Sequence, residues 1–253
     1  MRYTPVIDAR LGEVRIEIAA DCYTDALPLL RHLQIRRLPV DLSCQSIALA
    51  CALLTGERIG DHFEFAGMKI GGDYAEAIER VIGRRVVVAG VDGFDRTISS
   101  GDVDIHCAPA AARSDVPDVR SATPIPFTNI TWSGDFVARP SRRSTGFALG
   151  DYHTNAGLFA DPTVVSIAIG LIHGRDRCRT LWVPATEGSS SRMDAITAAL
   201  RIVGVTLEII EPRADNVVLL PVPPRAPESA RTKVRPLGRR AAARAGRQTN
   251  PAK

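Results

Sequence analysis

Apolar and polar residues alternate near the start of the chain. Thr4 to Ala9 is followed by Leu11-Gly12, after which Val14, Ile16 and Ile18 interleave with Arg15 and Glu17. A period of two belongs to extended chain with opposite-facing neighbours, so residues 4–20 predict a hairpin with one buried face. Tyr23 to Leu33 reads as helical, with Pro28 limiting the helix proper to the residues after it. The next helix, capped by Asp41 or Ser43 and stopping at Thr55-Gly56, is apolar all round and belongs in a core. Phe63 and Phe65, then Met68 and Ile70, flank Ala66-Gly67 as a second hairpin would. Asp73 caps a helix ending at Gly83, with Tyr74, Ala77, Ile78 and Val81 on one side and Glu76 and Arg80 as an exposed i,i+4 pair.

Beyond Gly83 the texture changes. Val86 to Val91 is a continuous β-branched run, suited to a strand covered on both faces. Pro109 to Pro126 reads as a long loop or crossover, Asn129 to Val137 as a strand, and Arg139 to Thr145 as another loop. Asp161 caps a helix with Pro162 at its first position, and Gly174 ends it. Thr180 to Pro184 is a strand. Ser191 and Asp194 fit a capping box before the stripe Met193, Ile196, Ala199, Leu200 and Val203, and Thr206 to Ile210 returns as a strand. A strand, a helix and a strand in so short a span imply parallel pairing through a right-handed crossover. The expected fold is α/β, a mostly parallel sheet with flanking helices over residues 85–222. A smaller α+β portion, 1–84, precedes it, and a disordered tail rich in Arg, Pro and Ala, 223–253, follows. Val217 to Val222 is a candidate edge strand.

Composition narrows the chemistry. The 253 residues are 45% apolar and 24% charged, enough to bury an ordinary core. The longest apolar runs, Ile47 to Leu54 and Val164 to Ile172, fall well short of the roughly 20 residues a membrane-spanning helix needs. Met1 to Asp8 has no apolar stretch after it and no small-residue cleavage site. The five cysteines, Cys22, Cys44, Cys51, Cys107 and Cys178, stand singly. Together these predict a cytoplasmic protein with reduced thiols and no membrane partner. Residues 225–253 hold nine Lys or Arg and one Glu, so the remainder carries a net charge of −4 and offers no basic groove for nucleic acid. Lysine occurs only at Lys69, Lys233 and Lys253, and Gly67-Met68-Lys69-Ile70-Gly71 is no phosphate loop. P-loop and pyridoxal chemistry are thereby disfavoured.

Three groups of residues are candidates for chemistry. Asp102-Val103-Asp104-Ile105-His106-Cys107, if extended, puts Asp102, Asp104 and His106 on one face and Val103, Ile105 and Cys107 on the other, so that two carboxylates and an imidazole could bind a divalent cation. The same letters describe any half-buried strand with its polar side out. Trp132-Ser133-Gly134-Asp135 and Gly150-Asp151-Tyr152-His153-Thr154-Asn155 supply further Asp, His and Asn after strands, where α/β sheets hold ligands. Finally, Thr186-Glu187-Gly188-Ser189-Ser190-Ser191 joins a strand to a helix N-terminus. Its backbone amides and hydroxyls suit a phosphate or carboxylate, or serve only as a cap.

In order, Asp104-x-His106, Gly134-Asp135 and the His153/Asn155 group resemble the motif series of the calcineurin-like metallophosphoesterases over roughly residues 104–174. The chain departs from that series in having Gly-Asp-Tyr-His-Thr-Asn for Gly-Asn-His-Asp/Glu, and Ile172-His173-Gly174 for Gly-His-x-His. The resemblance implies Asp104, His106, Asp135 and His153 around one or two Mn or Zn ions. A metal-bound water would attack a phosphoester, and His173 would protonate the leaving group. His173 reads equally as a cation at a helix C-terminus. The expected function is binding of a phosphorylated or nucleotide-like ligand, with Gly188, Ser189, Ser190 and Ser191 as its contacts, and metal-dependent phosphoester hydrolysis as the candidate reaction. The alternative is a non-enzymatic binding or assembly subunit whose residues 225–253 contact nucleic acid or an acidic protein.

Overall fold

The first hairpin forms as its alternation requires. In the computed structural model, which describes residues 1–8, 13–36, 45–93, 101–109, 127–133, 151–185 and 190–210, β1 (Arg2–Asp8) pairs antiparallel with β2 (Glu13–Ala19). Val14, Ile16 and Ile18 are buried, while Arg15 and Glu17 are exposed. A third strand, β3 (His32–Arg36), extends the antiparallel meander.

Its presence corrects the helix expected over Tyr23 to Leu33. The Asp25 carboxylate accepts from the N–H groups of Asp21, Cys22 and Gly60. Those bonds fix a turn where a helix would need its own ladder. Tyr23 and Leu29, with no apolar face to join, stand fully exposed.

Helix α1 (Ser46–Thr55) is buried at every position, as its uniform apolarity predicts. It starts after Gln45; Asp41 and Ser43, the expected caps, lie outside the described residues. The second expected hairpin is absent. Instead β4 (His62–Phe65) lies parallel to β1, and β5 (Ile70–Gly71) belongs to a separate two-stranded sheet. Helix α2 (Gly72–Ile82) buries Tyr74, Ala77, Ile78 and Val81 and closes at Gly83 in the left-handed region, φ +72°. Its N-cap position is Gly71, so Asp73 sits inside the first turn. The Val86 to Val91 run is broken by Gly90, φ +71°, into β6 (Val87–Val88), paired with β4, and β7 (Val91–Asp92), paired with β5. Val87 and Val91 are exposed, so this run is not the doubly covered strand its composition suggests.

The later strands are β8 (Val103–Pro109), β9 (Phe127–Ser133), β10 (Asp151–Thr154), β11 (Cys178–Pro184) and β12 (Thr206–Ile210). Helix α3 (Pro162–Gly174) leads into β11, and α4 (Ser190–Ile202) joins β11 to β12. Asp161 caps α3 by accepting from the N–H groups of Thr163 and Val164, with Pro162 in the first turn. On α4 the predicted stripe of Met193, Ile196, Ala199, Leu200 and Val203 is buried. Ser191 lies within that helix rather than at its cap.

The fold is mixed α/β. Its sheet runs β12-β11-β8-β9-β10-β3-β2-β1-β4-β6. β8 to β12 pair parallel throughout, whereas β3 joins β10 antiparallel and heads the meander. Strands from both sides of residue 84 thus share one sheet. Helix α1 packs on α2 and α3, and α2 packs on α4, so the described helices make one layer on one face. Tyr3 reaches Thr55 of α1 from that face, and Trp132 Nε1 donates to Ser166 Oγ of α3 at 2.9 Å. Close approach depends on glycine: a Cβ on Gly170 would lie 2.4 Å from Leu181, and one on Gly174 2.4 Å from Ile105. No described helix is long and apolar enough to cross a membrane.

Candidate ligand site at the carboxyl edge of the parallel strands

Numbered by chain position, the parallel strands lie in the order fifth, fourth, first, second, third. From β8 the chain winds one way through β9 to β10, then returns over α3 to lay β11 on the other side of β8. Neighbouring strands whose continuations diverge leave a crevice outside their carboxyl ends, the usual ligand position in open α/β sheets. Here that point lies between Pro109, which ends β8, and Pro184, which ends β11. The chain after β11 enters α4, whose thirteen residues have no acidic side chain in the first turn. Arg192, in that first turn, points away to Glu57 at 3.0 Å. Of the predicted phosphate contacts, Ser190 and Ser191 begin α4, while Gly188 and Ser189 lie outside the described residues.

The sequence-predicted metal ligands are spread along the sheet. Asp104 and His106 do share a face of β8, opposite Ile105 and Cys107, but this polar side is not turned out to solvent. Asp104 is 1% and His106 2% exposed. Asp104 is bound by a residue that sequence reasoning did not single out, Arg179, whose Nε donates to Oδ1 at 2.9 Å and Nη2 to Oδ2 at 2.5 Å. Pairing shifts register between Cys178 and Thr180, so Arg179 is the extra residue of a bulge, a device that re-aims a side chain. Asp102 likewise accepts from Nε and Nη2 of Arg177. These bidentate pairs are charge-assisted and directional, and their guanidinium pKa values are raised, chiefly by the hydrogen bonds to the carboxylates.

His153 is distant from both. It pairs with Ser133, whereas Asp104 pairs with Phe127 and His106 with Asn129. At about 3.3 Å per residue and 4.8 Å per strand, His153 lies about 22 Å from Asp104 and about 16 Å from His106, backbone to backbone. Asp135 falls outside the described residues, two positions beyond the end of β9. The structure therefore brings His153 and Ser133 together at the carboxyl edge and leaves Asp104 and His106 farther down β8.

Asn155 has a different role. It is buried, its Oδ1 accepts from the Gln34 N–H at 2.8 Å, and its Nδ2 donates to the His32 carbonyl at 2.8 Å. It joins β10 to β3. His173 lies in the last turn of α3, in the helix layer rather than on the Asp104 face. Its pKa is lowered, first by burial and then by the neighbouring Arg175. Cys107 faces away from His106, and burial pushes its thiol pKa up, as it does for Cys51; Cys178 is pushed up to about 12. None of these three is an activated nucleophile.

No protein family, curated protein or solved structure matches the chain.

Proposed function

We propose that the chain binds a small phosphorylated or nucleotide-like ligand in the crevice outside the carboxyl ends of β8 and β11. The observation that carries this reading is the reversal of winding between those two neighbours. It is supported by the start of α4 at the same edge, where free N–H groups and the helix dipole favour an anion and no first-turn carboxylate opposes one. Gly188, Ser189, Ser190 and Ser191 are the proposed contacts. Metal-dependent hydrolysis is not part of this proposal, because Asp104 is committed to Arg179 and stands far from His153.

Thermal unfolding of the full chain with ATP, ADP, AMP or inorganic phosphate tests it. A ligand at a hundred times its Kd stabilises by about 2.7 kcal/mol. For a chain of this size that raises Tm by roughly 5–10 °C. The shift is expected to shrink in a Gly188→Val, Ser189→Ala, Ser190→Ala variant. No shift with any of the four at millimolar concentration would overturn the reading.

A further inference from the structure

We propose that Asp21, His62 and Glu64 form a binding site for a divalent first-row transition metal of the zinc class, at the corner of the sheet where β2 ends and β4 begins. Each offers one ligand atom, and the three atoms lie within 4.8 Å of one another. Local structure explains the grouping. Strand β4 reads His62-Phe63-Glu64-Phe65, and its two phenylalanines are buried. Strand alternation then turns His62 and Glu64 together to the opposite face. The third donor, Asp21, stands just past the end of β2.

Asp21 belongs to a fixed turn. The Asp25 carboxylate accepts from the N–H groups of Asp21 at 2.7 Å, Cys22 at 3.1 Å and Gly60 at 2.7 Å, and lies 2.9 Å from the Met1 ammonium. Burial pushes the Asp25 pKa up, but these partners outweigh it and hold it well below the usual carboxylate range. The turn also packs directly on the approach to β4. A Cβ on Gly60 would lie 2.1 Å from Thr24 Oγ1 and 2.9 Å from Cys22 Sγ, so only glycine fits there. Two donors from one strand and one from a clamped turn are preorganised, which lowers the cost of gathering them around an ion.

The donors themselves point to a cation. His62 Nδ1 is shielded from solvent and makes no hydrogen bond, although it abuts the Asp21 carboxylate. A shielded ring nitrogen set against a carboxylate oxygen needs a proton or a metal ion between the two lone pairs. Arg2 occupies one oxygen of each acid, with Nε 2.7 Å from Glu64 Oε2 and Nη2 3.5 Å from Asp21 Oδ1. Asp21 Oδ2, next to His62 Nδ1, and Glu64 Oε1 lie outside those contacts. One imidazole nitrogen with two carboxylate oxygens is a donor set that suits zinc or manganese, and the partly exposed position leaves room for water as a further ligand. Arg2 offsets part of the negative charge, so moderate affinity is expected.

The full chain, stripped with a chelator, is titrated with ZnCl2 by calorimetry and with Co2+ by visible absorption. One equivalent of Zn2+ and a Co2+ ligand-field spectrum are expected. Affinity should fall at least about 10-fold in His62→Gln and in Asp21→Asn, and stay unchanged in His32→Gln. On the wild-type chain, the imidazole 15N resonance that Zn2+ displaces should be the one missing from His62→Gln. Absence of stoichiometric heat and of a Co2+ spectrum, unaltered binding in both ligand variants, or displacement of another histidine would overturn the proposal. The cluster would then be an arginine-bridged ion-pair network.

Discussion

Strands β2 and β8 carry nearly the same alternation, and on the face away from the helices it has opposite outcomes. In β2 the polar set of Arg15 and Glu17 is half exposed, the two side chains 3.5 Å apart. In β8 the polar set of Asp104 and His106 is almost completely buried. The first pair sits in high dielectric and adds little. The second arrangement must be satisfied internally, because a buried carboxylate without partners is expensive. Arg179 supplies that partner, its guanidinium on the buried carboxylate while its side chain as a whole stays 38% exposed. Alternation decides which residues share a face; the depth of that face depends on what the rest of the chain lays against it.

The largest test concerns what the two halves have in common. On the helix face, Ile16 and Ile105 are both buried. Ile16→Ala and Ile105→Ala should each cost about 3 kcal/mol in urea unfolding. A much smaller loss at either would show that the helix layer does not cover both halves alike. The polar face should separate them: Asp104→Ala is expected to cost about 2 kcal/mol, and Glu17→Ala less than about 0.5 kcal/mol. Equal losses would break the comparison. The subtlest test is a pH slope from the parallel half. With its pKa lowered by burial and by Arg175, His173 favours the folded state while neutral, and that contribution is lost as pH falls from the ordinary imidazole value of 6.5 through the lowered one. Stability should decline over that range in the wild type, and His173→Gln should flatten the decline.

What the residues disclosed before folding follows the same division. The β1–β2 hairpin, the all-round apolar α1, the Asp161-Pro162 start of α3 and the β11–α4–β12 unit were legible because local periodicity and caps specify them. The 23–33 segment was not, because the Asp25 contact with Gly60 is non-local. Within the candidate sites, the shared face of Asp104 and His106 followed from alternation. Their burial did not, since Arg179 is 75 positions away and is aimed by a bulge with no sequence mark. Likewise His62-Phe63-Glu64-Phe65 announces two polar residues on one face. Only the parallel pairing of β4 with β1 and the clamped turn after β2 bring Arg2 and Asp21 to them.

The junction of β10 with β3 has a kinetic consequence. Asn155 bridges partners 121 and 123 positions earlier in the chain, while the β1–β2 hairpin and the β11–α4–β12 unit are each built from near neighbours. Closing so long a loop brings a large entropic cost before any contact rewards it. Folding should therefore condense from both flanks and finish at this internal seam, making Asn155 a residue whose loss speeds unfolding more than it slows refolding.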